Sequence, residues 1–162
     1  MRVLGVDPGT SVTGYGVVDV GAGNGHPAPT PGRLVECGAI TLARRGSLPE
    51  RLQQLHEAIV ELITRHSPTA LALESAFYQK NVRTTLVLGH ARGVVLLAAQ
   101  QARLEIFEYA PATVKKTVAG AGAARKAQVA AMVARLLRLS HPPRPSDAAD
   151  GVAVALTHIL RA

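Results

Sequence analysis

The chain has 162 residues, of which 48% are hydrophobic and 18% are charged. This composition suits one packed domain and excludes a disordered chain. A single cysteine, Cys37, excludes an internal disulfide framework and a zinc site built on cysteines. With no signal peptide and no uninterrupted apolar run of membrane-spanning length, we expect one soluble, cytoplasmic domain over residues 1–162.

The charge of the chain is strongly basic. Lysine and arginine number 18 against 11 acidic residues, which gives a net charge of +7. Between Lys80 and Arg135 lie nine basic residues and two acidic ones. Such a concentrated excess favours a polyanionic partner, such as nucleic acid or an acidic membrane surface. The alternative is a genome biased toward arginine and alanine codons.

The first third of the chain predicts three strands. They span Met1–Asp7, Gly14–Val20 and Leu34–Leu42. The segment Gly21–Gly32 between the last two is rich in glycine and proline, which predicts a long hairpin loop. Short connections between successive strands indicate an antiparallel meander.

The spacing of apolar residues then changes to that of a helix. Leucine and isoleucine recur every three or four residues from Leu48 to Leu62. Ser47 and Glu50 form a capping-box pattern at the start, and Pro68 marks the end. Further predicted elements are a strand at Ala70–Glu74, a helix at Asn81–Arg103, a strand at Glu105–Tyr109, and helices at Pro111–Val118, Arg125–Leu139 and Ser146–Arg161, with Ser146 as the last cap. This order predicts a mixed α/β fold.

Four carboxylates occupy positions where α/β folds place their sites. Asp7 and Glu74 end predicted strands, and Asp147 and Asp150 lie three apart, on one face of the last helix. Four acids in one cleft of a basic protein would repel one another unless a cation bound there. Oxygen ligands suit Mg²⁺ or Mn²⁺, and two such ions can activate water against a phosphodiester. Taken singly, each acid is equally consistent with a cap or a turn.

Several blocks of the sequence resemble the RuvC family, the bacterial Holliday junction resolvases. They occur in family order and cover nearly the whole chain. The blocks are Gly5–Gly16, Glu74–Asn81, Leu88–Val95, Tyr109–Val118 and Ser146–Ala153. The main departure is the Gly21–Gly32 loop, which is longer than is usual in the family.

The resemblance implies an RNase H-like domain, with a five-stranded mixed sheet, its first three strands antiparallel, and helices on both faces. It implies that Asp7, Glu74, Asp147 and Asp150 are the catalytic carboxylates and bind two divalent ions, Mg²⁺ or Mn²⁺. The family nicks two like-polarity strands of a four-way junction symmetrically in recombination and repair. It works as a homodimer alongside the RuvA and RuvB branch-migration proteins.

The resemblance also implies DNA contacts. Phe77 matches an aromatic residue that wedges or stacks at the junction, with a core residue as the alternative. Lys115 and Lys126 match basic residues near the cleft. The DNA-binding candidates are Phe77, Lys80, Lys115, Lys116, Arg125 and Lys126. We expect His141 to lie in a linker, and His56, His66, His90 and His158 to be packing or surface residues.

Two other functions fit parts of the sequence. Asp7–Gly14 is similar to the phosphate loop of actin-like phosphotransferases, but 162 residues leave no room for their second lobe. A non-catalytic junction-binding protein has no need of four acids, which repel phosphates unless a metal bridges them.

The helix at Asn81–Arg103 is apolar on most sides, which predicts a dimer interface. Gly89, Ala91 and Gly93 would allow a partner helix to approach closely. The alternative is that the last two helices of the same chain, Arg125–Leu139 and Ser146–Arg161, cover this surface.

Overall fold

The computed structural model describes residues 1–20, 31–75 and 80–162. Within them the elements follow the predicted order. The strands are β1 (Arg2–Asp7), β2 (Val12–Asp19), β3 (Arg33–Thr41), β4 (Ala70–Glu74) and β5 (Glu105–Tyr109). The helices are α1 (Leu48–His66), α2 (Val82–Gln101), α3 (Pro111–Ala119), α4 (Lys126–Leu136) and α5 (Ser146–Arg161). Phe77 and most of the Gly21–Gly32 loop lie outside the described residues.

The five strands form one mixed sheet in the order β3-β2-β1-β4-β5. The pairs β1–β2 and β2–β3 are antiparallel, whereas β1–β4 and β4–β5 are parallel. The two parallel strands that end in acids therefore lie side by side at the centre of the sheet. This arrangement confirms the predicted sheet.

The alternation of side chains along the strands divides the core into two layers. Val3 and Ala72 face α3, α4 and α5, while Leu4 and Leu71 face α1 and α2. Helices therefore cover both faces, as predicted. The period of two also assigns Asp7, four residues after Val3, and Glu74, two after Ala72, to the face of α5.

Glycine residues at the contact allow α5 to pack unusually close to β1 and β2. A Cβ atom at Gly151 would lie 2.4 Å from the Cα atom of Tyr15, and one at Gly5 would lie 2.3 Å from the carbonyl oxygen of Gly151. A Cβ atom at Gly14 would lie 1.8 Å from the carbonyl oxygen of Asp147. No side chain fits in these spaces, so the backbone of the helix lies directly on the two strands.

Some predicted boundaries are wrong. β2 begins at Val12, two residues before the predicted start, and α4 ends at Leu136 rather than Leu139. The helix ends early because Arg138 adopts a left-handed conformation, with φ of 53°. The predicted cap at Ser146 is also wrong, since Pro145 is the N-cap residue and Ser146 lies within the first turn. The capping box of Ser47 and Glu50 is confirmed.

One face of α2 has no cover within the described chain. Val82, Leu86 and Leu97 are 66%, 60% and 52% exposed. α2 packs on α1 and β5, whereas α4 and α5 lie on the opposite face of the sheet. The alternative that these two helices cover α2 is therefore wrong. Ala91 does not belong to the exposed face, because it is buried in the core.

The length and hydropathy of α2 would also allow it to cross a membrane. In the fold, however, the helix docks by one side on its own sheet. Arg92 forms an ion pair with Glu108 on β5, and Ala98 and Ala99 are buried in the layer that contains α1.

Candidate active site

Asp7 and Glu74 end neighbouring parallel strands. The register pairs Val6 with Leu73, so the two acids are the next residues of β1 and β4. Adjacent strands are about 4.8 Å apart, and both side chains point to the same face. The sheet therefore places two carboxylates side by side.

The N-terminal turn of α5 adds two further acids. Gly14 pairs with Asp7 across β1 and β2, and the backbone of Asp147 lies directly against Gly14. Asp150, one turn further along, contacts the same region and is 16% exposed. The close approach of α5 thus brings its first turn to the ends of the strands.

A cavity of about 170 Å³ lies between these elements and opens to solvent. Its charged lining contains three of the four predicted acids and two of the predicted lysines. The lining residues are Asp7, Glu74, Pro111, Val114, Lys115, Lys126, Val129, Asp150 and Ala153. Asp147 lies near the cavity without lining it.

The electrostatics of the site strongly favour a bound cation. Burial, followed by the charges of Glu74 and Asp150, raises the pKa of Asp7 to about 8. Burial and then the charge of Asp150 also raise the pKa of Glu74, while Lys115 and Lys126 act in the opposite direction. The ionised acids repel one another and are partly buried, which lowers the stability of the folded protein. A cation bound among them would offset this destabilisation.

Lys126, the first residue of α4, forms an ion pair with one of the acids. Its Nζ atom lies 2.7 Å from Oδ2 of Asp150. Within residues 1–20, 31–75 and 80–162, no three acidic, histidine or cysteine side chains form a ready-made metal centre. The donors are nevertheless oxygen atoms at the mouth of one cavity, the chemistry that suits a hard divalent ion.

The other DNA-binding candidates are dispersed. Lys115 lines the carboxylate cavity, but Lys116 faces a separate groove that Arg161 also lines. Arg125 is exposed at the N-cap of α4, and Lys80 is exposed just before α2. Phe77 lies outside the described residues. Of the candidate cations, Lys115 and Lys126 are therefore the two beside the acids.

The histidines lie away from the cavity. His66 is buried with its Nε2 atom 2.9 Å from Oε2 of Glu36, and His158 is buried with its Nδ1 atom 2.8 Å from the Tyr109 hydroxyl. His141 is exposed between α4 and α5, as predicted. Cys37 is half-buried on the edge strand β3.

Reasoning from sequence missed two features of the site. One is the ion pair of Lys126 with Asp150, which depends on how α4 and α5 pack. The other is the apolar wall formed by Val114, Val129 and Ala153. Glycines at alternate positions of two strands, such as Gly14 and Gly16, were the signal that a helix backbone lies against them.

The sheet and the positions of the acids define the class of protein. The sheet order, with acids at the ends of two central parallel strands and at the start of the last helix, matches the RNase H-like domain expected from the resemblance. Comparisons with known proteins then give the family.

A model of the family "Crossover junction endodeoxyribonuclease RuvC" matches residues 3–158. The protein of that name from Pelotomaculum thermopropionicum is 49% identical over 158 residues, which cover 98% of this chain and 92% of that protein. The RuvC structure from Thermus thermophilus has a TM-score of 0.87 and 37% identity, over 99% of this chain and 94% of that one. The structure of T. thermophilus RuvC in complex with Holliday junction substrate has a TM-score of 0.86, 33% identity and the same coverage.

The chain therefore belongs to the RuvC family of crossover junction endodeoxyribonucleases. The family and the fold predicted from the sequence are both confirmed. The predicted activity is confirmed at the same level, that of a divalent-metal-dependent endonuclease that resolves Holliday junctions.

Proposed function

We propose that Asp7, Glu74, Asp147 and Asp150 are the catalytic carboxylates of this endonuclease. The observation that carries the proposal is the meeting of Asp7, Glu74 and Asp150 in one cavity of a protein with a net charge of +7. The fold keeps these acids together although burial and mutual repulsion raise the pKa of Asp7 to about 8. A role in binding cations explains why such an arrangement is retained.

The four carboxylates would hold two Mg²⁺ ions, which Mn²⁺ could replace. Bound ions of this kind supply an activated water and stabilise the leaving oxygen of a phosphodiester. The chain's own contribution is to hold the acids in place. The sheet fixes Asp7 and Glu74, and the packing of α5 on Gly14 fixes the turn of Asp147 and Asp150.

The lysines beside the acids would hold the DNA backbone. Lys115 on α3 and Lys126 on α4 line the same cavity as the carboxylates. An ammonium group there would bind the phosphate next to the scissile bond and offset its developing charge. Lys116, Arg125 and Lys80 are exposed, so they would contact phosphates further along the junction arms.

The exposed face of α2 supports a homodimer. A four-way junction offers two equivalent strands related by a two-fold axis, so paired incision needs two sites with matching symmetry. Leu86, Gly89, Gly93 and Leu97 line an apolar groove on this face. A Cβ atom at Gly89 or Gly93 would meet nothing within 4 Å, which leaves room for a partner's α2.

Symmetric nicking would place the enzyme after branch migration, with RuvA and RuvB as its partners. This part of the proposal rests on family membership. We also assign the enzyme to the cytoplasm, where chromosomal junctions form. Cross-linking of the purified protein to RuvA and RuvB on a synthetic junction tests the assembly, and the absence of any cross-link would contradict it.

A cleavage assay tests the catalytic assignment. Asp7→Asn or Glu74→Gln should reduce paired nicking of a synthetic four-way junction by at least about a hundredfold in Mg²⁺ or Mn²⁺, while binding to the junction is retained. EDTA should abolish nicking by the wild type. Glu57→Gln is the matched control, since Glu57 is exposed on α1 across the sheet.

The outcomes separate the catalytic reading from the alternative of a junction-binding protein. If a variant cuts junctions at the normal rate, the substituted acid is not a catalytic residue. A wild type that binds junctions but does not cut them in either metal would favour the non-catalytic alternative. Cutting of linear duplex at the same rate would contradict selectivity for junction structure.

A further inference from the structure

Lys126 differs from the other cations near the site in the way it is held. Its Nζ atom lies 2.7 Å from Oδ2 of Asp150, and its side chain is 69% exposed while that of Asp150 is 16% exposed. The ammonium group therefore reaches from solvent into the carboxylate cluster. Ion pairs of such an exposed lysine usually contribute little to stability, so the position of this one calls for a functional explanation.

The ammonium group of Lys126 lies among the four carboxylates, whose negative charges repel one another. It interacts with Asp150, Asp7 and Asp147, and it also stabilises the charge of Glu74. Lys115 lines the same cavity, yet among the described residues it forms no ion pair, and its electrostatic effect falls on Glu74. Of the two lysines that line the cavity, Lys126 is therefore the one that interacts with all four carboxylates.

We propose that Lys126 is a tethered counter-ion for the carboxylate site, which an incoming divalent ion displaces from Asp150 and thereby frees to bind a backbone phosphate of the junction. The inference rests on the proposed function and deepens it. It gives Lys126 two successive partners, a carboxylate before the metal is bound and a phosphate afterwards.

The geometry allows this exchange of partners. Lys126 is the first residue of α4, and most of its side chain is in solvent, so its ammonium can move without repacking the core. A divalent ion on Asp150 competes directly with the ammonium, which lowers the affinity for metal. Once released, the same charge adds to DNA binding. Metal and DNA would therefore strengthen each other's binding, and the effect must be reciprocal.

Calorimetric titration of the whole protein with Mn²⁺ in the absence of DNA tests the first half of the proposal. Lys126→Met should bind Mn²⁺ about fivefold more tightly than the wild type. Lys115→Met removes the same charge from the same cavity without removing an ion pair, and it should change the affinity less than Lys126→Met does. The effect of Lys126→Met should also be smaller in an Asp150→Asn background, because the ion pair is then already removed.

Anisotropy of a labelled four-way junction tests the second half. Ca²⁺ in place of EDTA should increase the affinity of the wild type for the junction more than that of Lys126→Met. Lys115 forms no ion pair within the described part of the chain, so Lys115→Met should keep the increase seen in the wild type.

The outcomes are distinguishable. If Lys126→Met and Lys115→Met change Mn²⁺ affinity equally, or if Ca²⁺ helps the wild type and Lys126→Met equally, the counter-ion role is overturned while the metal site stands. If the wild type binds no Mn²⁺, or Asp7→Asn binds it as well as the wild type does, the proposed function itself fails, and this inference with it. Thermal melting of each variant checks that the fold is intact.

Discussion

The helices α5 and α2 are both apolar, but they are used in opposite ways. α5 buries ten of its sixteen residues, and its backbone lies directly on β1 and β2 at glycine. α2 buries five of its twenty residues and leaves large apolar side chains exposed, with open space at Gly89 and Gly93. Glycine thus has two roles. On the α5 face of the sheet it allows close packing within the chain, and on the α2 face it leaves room for a second copy of the chain.

The largest expected effect comes from breaking the contact of α5 with β2. In Gly151→Ala the new Cβ atom would lie 2.4 Å from the Cα atom of Tyr15, so the helix must move away. We expect the free energy of unfolding, measured in urea, to fall by about 3 kcal/mol, with loss of nicking activity. An unfolding midpoint equal to that of the wild type would mean that α5 does not rest on β2 in this way.

Polar substitutions on the exposed face of α2 should weaken dimerisation and leave the folding of the single chain nearly unchanged. Leu86 and Leu97 are 60% and 52% exposed, so aspartate at both positions costs the isolated chain little. If this face is the dimer interface, we expect dimerisation to weaken by roughly 2 kcal/mol or more, measured by sedimentation equilibrium. A dimer that survives both changes with unaltered affinity would exclude this face.

Asp7, which is largely buried on the face of the sheet that α5 covers, should make the stability of the protein depend on pH. Because the folded protein raises the pKa of Asp7 to about 8, folding favours the protonated carboxyl. The ionised carboxylate therefore lowers the free energy of unfolding. This loss is absent below about pH 4, the pKa of an aspartate in the unfolded chain, and it grows as the pH rises toward 8. In EDTA, Asp7→Asn should therefore be more stable than the wild type by about 1–3 kcal/mol at pH 8, and by much less at pH 5.

Chemical denaturation at the two pH values provides the check. A difference between Asp7→Asn and the wild type that stays constant from pH 5 to pH 8 would show that the carboxyl does not titrate in this range. Adding Mg²⁺ should stabilise the wild type at pH 8 and reduce the advantage of the variant.

The smallest effect is expected at Gly89. A Cβ atom there meets nothing within 4 Å, and alanine favours a helix over glycine. Gly89→Ala should therefore raise the free energy of unfolding of the dilute monomer by about 0.5–1 kcal/mol, the opposite sign to Gly151→Ala. A loss of stability in the monomer would show that this face is covered within the chain.

Much of the fold could be predicted because its signals are local. The period of two in β1 and β4 places Asp7 and Glu74 on one face, and the spacing of Asp147 and Asp150 places both on one side of a helix. The Ser47 capping box fixes the start of α1 in the same local way.

The features that sequence did not predict depend on tertiary packing. The early end of α4 requires the left-handed conformation of Arg138, which few residues other than glycine adopt. The partner of Lys126 depends on the angle between two helices. The orientation of Ala91 toward the core could be read only once α2 was docked on the sheet.

The close packing of α5 on the glycines of β1 and β2 should also determine how the enzyme loses activity when it is heated. Asp147 lies against Gly14 in the same close contact that joins the helix to the centre of the sheet. Among residues 1–20, 31–75 and 80–162, the four acids lie at the ends of β1 and β4 and in the first turns of α5, so each is part of an element that packs in the core. Separating Asp147 and Asp150 from Asp7 requires α5 to leave the strands, which opens the core layer that α5 fills. We therefore expect thermal inactivation and global unfolding to occur together, as one cooperative event.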